Sequence, residues 1–213
     1  MKTIAILPAF NEEKTIGSII ETLREVPEVS DVVVVSDAST DSTVEVAESL
    51  GAKVIELAEN RGKGGAMKAG LDCTKADIIL FLDADLIGLT REHVYELLNP
   101  VIQQRADMTI GVFGKGRVAT DLAQKVAPYL SGQRAVKRYI LEGISGIDMS
   151  RFGVEVALTR YIESADVRVE KVLLEDMSHV MKEEKMGVFK GLAARVKMYW
   201  EIVKFLIAKE SLK

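Results

Sequence analysis

The feature that most constrains the fold is an alternation of short apolar segments with longer amphipathic ones in the first half of the chain. Segments 3–7, 31–36, 53–57, 77–82 and 107–112 are short, apolar and rich in β-branched residues, which predicts strands. Helical patterns lie between them, at 12–25, 42–50, 64–75 and 90–103. Strand alternating with helix predicts right-handed βαβ units and a mostly parallel α/β sheet with helices on both faces.

The second half is predicted less regularly. The Gly- and Lys-rich segment 111–117 indicates either a mobile loop or a surface turn. A helix is expected over 151–162, and alternating apolar residues over 166–174 predict a late strand added to the sheet. We therefore expect one domain over 1–180, divided into halves 1–115 and 116–180, followed by a helical extension over 181–213.

Composition excludes several classes of protein. The 213 residues carry 28 Lys and Arg against 32 Asp and Glu, and this net charge of −4 argues against a nucleic-acid binder. The lone cysteine, Cys73, cannot form an intramolecular disulfide, and the N-terminal segment lacks a signal-peptide pattern. No apolar run approaches the ~20 residues of a membrane span. A cytoplasmic protein is the expectation.

Polar residues follow the first two predicted strands, where parallel sheets bind their ligands. Pro8 is expected to end the first strand, and Asn11 is a candidate N-cap of the next helix. Asp37 directly follows the second apolar run, where its carboxylate can accept hydrogen bonds from a base or a ribose. Asp41, four residues on, is expected mainly to cap the helix that follows.

The third strand leads into a glycine-rich segment, Asn60-Arg61-Gly62-Lys63-Gly64-Gly65-Ala66. Backbone N–H groups before a helix, together with Arg61 and Lys63, favour an anion-binding loop, with a glycine-rich turn as the alternative. No Walker A spacing is present, and Met67 stands where a dinucleotide fingerprint requires its last glycine.

The fourth strand ends at two carboxylates, Asp83 and Asp85. Two such charges close together repel unless a cation compensates them. A Mg²⁺ or Mn²⁺ ion bridging one of them to a diphosphate would supply that compensation, because hard cations prefer oxygen ligands.

Together these four segments resemble the family 2 glycosyltransferases of the GT-A fold. Pro8-Ala9-Phe10-Asn11-Glu12 is similar to the family's Pro-x-Tyr-Asn-Glu, and the segment from Ser36 to Asp41 to its Asp-Asp-Gly-Ser-x-Asp, departing at Ser36 and Ala38. Asn60-x-Gly-Lys-Gly-x-Ala and Asp83-Ala84-Asp85 fit closely. The resemblance implies a metal-binding, catalytic role for Asp85 and a diphosphate contact for Lys63. It implies a nucleotide-sugar site made of Pro8, Ala9, Phe10, Asn11, Glu12, Asp37, Lys63, Asp83 and Ala84.

The segment Leu130-Ser131-Gly132-Gln133-Arg134-Ala135 resembles an element of polyprenyl-phosphate sugar synthases and of glucosyl-3-phosphoglycerate synthases. Both groups use phosphorylated acceptors. The resemblance therefore implies acceptor contacts from Gly132, Gln133, Arg134 and Lys137, with Arg138 as a further phosphate ligand and Arg134 also catalytic. Arginine suits this role because it binds phosphate bidentately. A basic helix face is the alternative.

Two later residues complete the expected site. Glu155 is placed on the acceptor side by the same resemblance, as the general base if the acceptor is a hydroxyl. His179 resembles the histidine that completes the metal site beside the second aspartate in the phosphoglycerate-type enzymes, and a structural histidine is the alternative.

The C-terminal extension bears on the acceptor. Residues 181–213 carry eight Lys and Arg against four Asp and Glu, with an apolar stripe at helical spacing. Such a helix over 188–209 can lie on the inner face of the cell membrane, or it can pack on the core or in a homodimer. Membrane contact would favour a lipid acceptor, and a dimer would favour a soluble one.

The function expected is metal-dependent transfer of a sugar from a UDP- or GDP-sugar to a phosphorylated acceptor. Polyprenyl phosphate is slightly favoured over a small soluble phosphorylated acid. A non-catalytic module that binds sugar nucleotides is the alternative of a different class, because Ser36 and Ala38 depart from the family motif.

Overall fold

The computed structural model of the chain describes residues 1–113, 131–144 and 165–179. The chain divides into two compact units, Met1–Ser178 and His179–Lys213, and nearly all of the described residues belong to the first. The predicted loop beyond 113, the predicted helix 151–162 with Glu155, and the extension 181–213 lie outside the described residues.

Nine strands and five helices occupy the described ranges. The strands are β1 (Thr3–Ala9), β2 (Val29–Ser36), β3 (Lys53–Glu56), β4 (Ile78–Phe81), β5 (Leu86–Ile87), β6 (Met108–Phe113), β7 (Arg134–Lys137), β8 (Val169–Leu174) and β9 (Ser178–His179). The helices are α1 (Ile16–Arg24), α2 (Thr43–Ser49), α3 (Gly62–Asp72), α4 (Arg91–Ile102) and α5 (Arg138–Gly143).

Seven strands form one sheet in the order β3-β2-β1-β4-β7-β6-β8, while β5 and β9 form a two-stranded sheet. Every pairing in the large sheet is parallel except those of β7, which runs antiparallel to β4 and to β6. The predicted parallel α/β architecture is confirmed, and the predicted late strand joins the sheet as β8, parallel to β6.

Buried apolar side chains cover both faces of the sheet. Helices α1 and α4 pack on one face, and α3 and α5 on the other. Gly70 lets α3 approach the sheet closely, because a β-carbon at this position would lie 2.6 Å from a methyl group of Ile6 and 3.1 Å from one of Val35. This tight packing holds the start of α3 over the carboxyl edge of β1 and β2.

No described helix has the length and apolar character needed to cross a bilayer.

Two local expectations are wrong. Pro8 does not end β1, which continues to Ala9 in register with β2. Proline is tolerated there because β4 pairs with β1 only as far as Ile6, so the strand is open on that side. Asn11 is not a helix cap, because α1 begins at Ile16 with Thr15 as its N-cap residue.

Candidate active site

The ends of the strands bring the predicted site residues to one edge of the sheet. Ala9 lies opposite Ser36 at the carboxyl ends of β1 and β2. Phe81, the last residue of β4, lies opposite Arg134, the first residue of the antiparallel β7. The loops after β1, β2, β3 and β4 and the segment that enters β7 therefore share this carboxyl edge.

The loops after β1 and β2 are joined by hydrogen bonds, and we call residues 10–13 and 37–43 the loop pair. Asn11 adopts a left-handed backbone with φ 58°. Its N–H donates to Ser39 Oγ at 3.1 Å, and its Oδ1 accepts from the Thr40 N–H at 2.8 Å. The Glu12 N–H donates to Thr43 Oγ1 at 2.8 Å. Asn11 therefore shapes the edge by fixing one loop against the other.

Asp41, expected mainly to cap α2, lies one residue before the N-cap residue Ser42 and still accepts from the first turn of the helix. Its Oδ1 accepts from the Thr43 N–H at 3.0 Å, and its Oδ2 from the Glu13 N–H at 3.1 Å. Burial raises the pKa of Asp41, but hydrogen bonds from the Thr43 hydroxyl and from these backbone groups outweigh it, so the net pKa is lowered. The carboxylate stabilises both the start of α2 and the loop pair.

The two departures from the family motif are accommodated by the backbone. Ala38 adopts φ 61°, the left-handed region that favours the glycine of the family motif. The Ser36 hydroxyl accepts from the Ser39 N–H at 3.3 Å. Neither residue displaces the loop from the carboxyl edge.

Asp37 is buried and fastens the third loop to the second. Its Oδ1 accepts from the Arg61 N–H at 2.7 Å, and its carbonyl accepts from the Asn60 side-chain amide at 3.2 Å. Its own N–H donates to the Ala9 carbonyl at 2.8 Å. The Asp37 carboxylate is therefore held in a fixed orientation at the carboxyl edge.

A second group of contacts joins α3, the end of β4 and the segment before β7. Lys63, in the first turn of α3, places its Nζ 2.6 Å from Asp83 Oδ1. The Gln133 side-chain amide donates to Asp83 Oδ2 at 3.0 Å, and the Ser131 hydroxyl donates to Gln133 Oε1 at 2.8 Å. We call Lys63, Asp83, Ser131 and Gln133 the charged cluster. It brings together residues that the sequence assigned to the donor and to the acceptor.

Gly132 lies directly against the charged cluster. A β-carbon built at this position would come closer than 3.0 Å to Lys63 Nζ and to both carboxylate oxygens of Asp83. A real β-carbon essentially never makes contacts this short, so a side chain here would force the ion pair to move. This close approach favours glycine at the position.

Asp85 is half-buried two residues beyond Asp83, in the turn before β5. The turn is anchored by the buried side chains of Ala84 and Leu86, and Thr15 Oγ1 donates to the Ala84 carbonyl at 2.7 Å. Among residues 1–113, 131–144 and 165–178, no three His, Cys, Asp or Glu side chains converge as a metal site. The backbone of His179 lies in β9, but its side chain is outside the description, so its metal-ligand role stays a prediction.

The three basic residues predicted to bind the acceptor separate along β7. Arg134 is at the carboxyl edge, where it is 1% exposed and donates from Nε to the Ser131 carbonyl at 2.7 Å. Lys137 lies at the opposite edge, 2.7 Å from Asp107. Arg138 donates to the carbonyls of Ala76 and Thr74. Because β7 runs away from the carboxyl edge, the structure does not bring Lys137 and Arg138 to the site.

Several residues that shape the site were not predicted as site residues. Ser131 orients Gln133, and Ser39, Thr40 and Thr43 receive or donate the bonds within the loop pair. All of them are short hydroxyl residues near motif positions. Their partners are distant in sequence, so only the hydroxyl-rich composition of the motifs could have indicated them.

The arrangement on this edge matches a known family. Residues 4–158 match the sequence model of Glycosyl transferase family 2. The chain belongs to this family. The match covers the loop pair, the charged cluster, Asp85 and the segment that contains Glu155.

Relatives within the family include enzymes with two kinds of acceptor in their names. A glucosyl-3-phosphoglycerate synthase of Mycobacterium tuberculosis is 33% identical over 172 residues, which are 68% of this chain and 52% of the relative. A dolichyl-phosphate beta-glucosyltransferase of Drosophila melanogaster is 38% identical over 117 residues, 47% of this chain and 35% of the relative. The chain thus spans between about a third and a half of the curated relatives it matches.

The fold is shared with solved structures of the Mycobacterium tuberculosis synthase. Its complex with Mn²⁺ and UDP-glucose superposes with a TM-score of 0.77 at 27% identity, covering 97% of this chain and 78% of that one. Another complex of the same protein holds Mn²⁺, UDP-glucose and phosphoglyceric acid, with a TM-score of 0.69 at 29% identity, over 84% of this chain and 71% of that one. The predicted GT-A fold is confirmed.

Proposed function

We propose that this protein is a glycosyltransferase that moves a hexose from a UDP-sugar, with Mg²⁺ or Mn²⁺, to a phosphorylated acceptor. The observation that carries the proposal is the charged cluster beside Asp85. Together with Asp85 it presents an ammonium group, two carboxylates and an amide at the carboxyl edge of an α/β sheet, where such sheets bind nucleotides.

The donor would lie between the loop pair and the charged cluster. Phe10 is 48% exposed and offers a ring for stacking on a base, next to the fixed carboxylate of Asp37. Lys63, at the start of α3, is paired with Asp83 and would share its charge between that carboxylate and a diphosphate. The sugar would then lie near Asp83.

The chemistry of the residues fits a hard divalent cation. Asp85 supplies a half-buried carboxylate on an anchored turn, and Asp83 lies two residues away. Mg²⁺ commonly takes one or two protein carboxylates and completes its shell with waters and substrate phosphates, so a site of few protein ligands suffices. When bound, the cation would stabilise the negative charge that develops on the departing nucleoside diphosphate. Lys63 would contribute to the same stabilisation from the protein side.

The acceptor is proposed to be a phosphate monoester, either a soluble phosphorylated acid or a polyprenyl phosphate. Relatives with either kind of acceptor in their names match similar shares of this chain, 68% for a phosphoglycerate synthase and 73% for a prenyl-phosphate synthase, so the two acceptors are proposed side by side. If a hydroxyl attacks, a general base is needed, and Glu155 is proposed for that role. If the phosphate oxygen attacks, it is already ionised near neutral pH.

The test is transfer by the purified protein. UDP-glucose and GDP-glucose with Mn²⁺ are offered to 3-phosphoglycerate and, separately, to polyprenyl phosphate in vesicles, and both nucleotide release and the glycosylated product are measured by mass. We expect product with one acceptor class and a loss of at least about 100-fold in Asp85→Asn.

The matched control is Asp72→Asn, which removes an exposed carboxylate paired with Lys68 on the outer part of α3. It should leave turnover unchanged. Tight binding of the nucleotide sugar with neither hydrolysis nor transfer would overturn the proposal in favour of a non-catalytic binding module.

A further inference from the structure

Gln133 has contacts that differ from those of an acceptor ligand. Its side chain is fully buried, and its amide donates to Asp83 Oδ2 at 3.0 Å. Its other end accepts from the Ser131 hydroxyl at 2.8 Å, and its backbone N–H donates to the same hydroxyl at 3.3 Å. Both functional atoms of the side chain are therefore occupied by protein groups.

The orientation of the Gln133 amide follows from its partners. An ionised carboxylate only accepts hydrogen bonds, so the atom facing Asp83 must be the NH₂ group. The carbonyl oxygen then faces Ser131, whose hydroxyl can donate to it. Ser131 thus fixes Gln133, and Gln133 fixes one oxygen of Asp83.

The other oxygen of Asp83 is paired with Lys63. If Lys63 turns toward a donor diphosphate, as proposed above, its ion pair with Asp83 is weakened or lost. A carboxylate released on one side would rotate unless another group held it. The amide of Gln133 supplies that second attachment from the segment before β7, which is separate from the helix that carries Lys63.

We propose that Gln133 is a positioning residue, which with Ser131 holds the Asp83 carboxylate in place for the donor sugar while Lys63 serves the diphosphate. The proposal rests on the function proposed above. It removes Gln133 from the acceptor ligands and makes the segment before β7 a support of the donor site.

The first test replaces the amide by a carboxylate of the same shape, Gln133→Glu. At low pH the new side chain keeps a proton and can still donate to Asp83; as the pH rises it ionises and repels Asp83. We expect the ratio of wild-type to variant kcat/KM for UDP-glucose to rise about tenfold or more between about pH 4, near the ordinary pKa of a glutamate, and about pH 9. Gln103→Glu, the same change on an exposed residue at the end of α4, should give a flat ratio.

The second test asks whether Gln133 acts through Asp83. In a double-mutant cycle, Gln133→Leu should weaken the binding of UDP-glucose with Mn²⁺ about tenfold in the wild-type background and less than about twofold in Asp83→Ala. Circular dichroism confirms folding of each variant. A flat pH ratio for Gln133→Glu, or equal costs of Gln133→Leu in both backgrounds, would overturn the proposal.

Failure of the proposed function gives a different result. If the wild-type protein turns over no donor, the proposed transferase function is overturned. The same double-mutant cycle, measured by urea unfolding, still reports whether Gln133 and Asp83 are coupled. Absence of coupling there would overturn the positioning role independently of activity.

Discussion

Two carboxylates with similar partners lie at opposite edges of the sheet, one bonded by the residue just before β7 and the other by the last residue of β7. At the carboxyl edge, Asp83 is 2.6 Å from Lys63 and accepts from Gln133, just before β7 begins. At the opposite edge, Asp107 is 2.7 Å from Lys137, the last residue of β7, and 2.9 Å from Arg168. Strand β7 therefore runs from one group to the other.

The two groups differ in the solvent exposure of their paired side chains. The side chains of Lys137 and Asp107 are 18% and 8% exposed, whereas those of Lys63 and Asp83 are 32% and 18% exposed. Asp107 also accepts two hydrogen bonds from the Arg168 guanidinium and one from its N–H. The Asp107 group therefore fastens β6 to β7 and β8, while the charged cluster keeps an ion pair that a ligand can enter.

The largest expected effect is on activity at the open group. Lys63→Met removes the ammonium that would serve the diphosphate, so kcat/KM should fall about 100- to 1,000-fold with little change in thermal unfolding. Lys68→Met, which removes an exposed lysine from the same helix, is the control and should retain wild-type turnover. If Lys63→Met turned over as fast as Lys68→Met, the Lys63–Asp83 ion pair would have no catalytic role that distinguishes it from the Asp107 group.

The next effect is on stability at the closed group. Arg168 and then Lys137 hold the pKa of Asp107 well below its usual range, against the opposing effect of burial. A depressed carboxyl pKa stabilises the fold above the unfolded value and loses that contribution as the pH falls below about 4. Asp107→Asn should lower the unfolding free energy by about 2 kcal/mol at pH 7.

Urea unfolding of wild type and variant between about pH 2.5 and 7 measures this. The difference in unfolding free energy should shrink as the pH falls below about 4. Glu28→Gln, on an exposed residue of the turn between α1 and β2, is the control and should show no such pH-dependent difference. A difference that stays constant with pH would mean that the charge of Asp107 contributes nothing to the fold.

The positions of the residues at the carboxyl edge could be predicted from sequence better than the path of β7. Asp37, Lys63, Asp83 and Asp85 were all predicted to follow strand ends, and the structure places them in the loops or helix start after β2, β3 and β4, because parallel strands all end at one edge. The direction of β7 was not predictable. Four residues give little periodicity, and an antiparallel strand inside a parallel sheet has no local signature.

The unexpected position of Lys137 follows from that missing direction. Read as one motif, Arg134 and Lys137 look like neighbours, but β7 carries them to opposite edges of the sheet. The bond between Gln133 and Asp83 joins residues 50 positions apart, so no spacing rule could indicate it. The start of α1 was predicted wrongly for a similar reason. Asn11 has the residue type of a helix cap, but its hydrogen-bond partners are in the loop after β2.

A smaller effect is expected from crowding the charged cluster. Gly132→Ala places a β-carbon against Lys63 and Asp83, so unfolding free energy should fall by about 1 to 2 kcal/mol, together with a loss of turnover. Gly17→Ala is the matched control, because its β-carbon would make only ordinary contacts of 3.5 and 3.6 Å. That helical substitution should stabilise the protein by about 0.5 kcal/mol. Similar stabilisation by both would mean that the charged cluster is loose enough to admit a methyl group.

The smallest effect concerns the loop pair, which is held by neutral hydrogen bonds and backbone shape instead of an ion pair. Asn11→Ala loses the acceptor for the Thr40 N–H and places alanine at φ 58°, so unfolding free energy should fall by about 1 kcal/mol. Asn11→Asp keeps the acceptor and tolerates the left-handed backbone, so it should lose less than half of that. Because both loops would shift together, the KM for UDP-glucose should rise in Asn11→Ala while kcat stays near wild type. A lower kcat at unchanged KM would instead give Asn11 the role expected of the charged cluster. The loop pair could then no longer be distinguished from the charged cluster by its effect on catalysis.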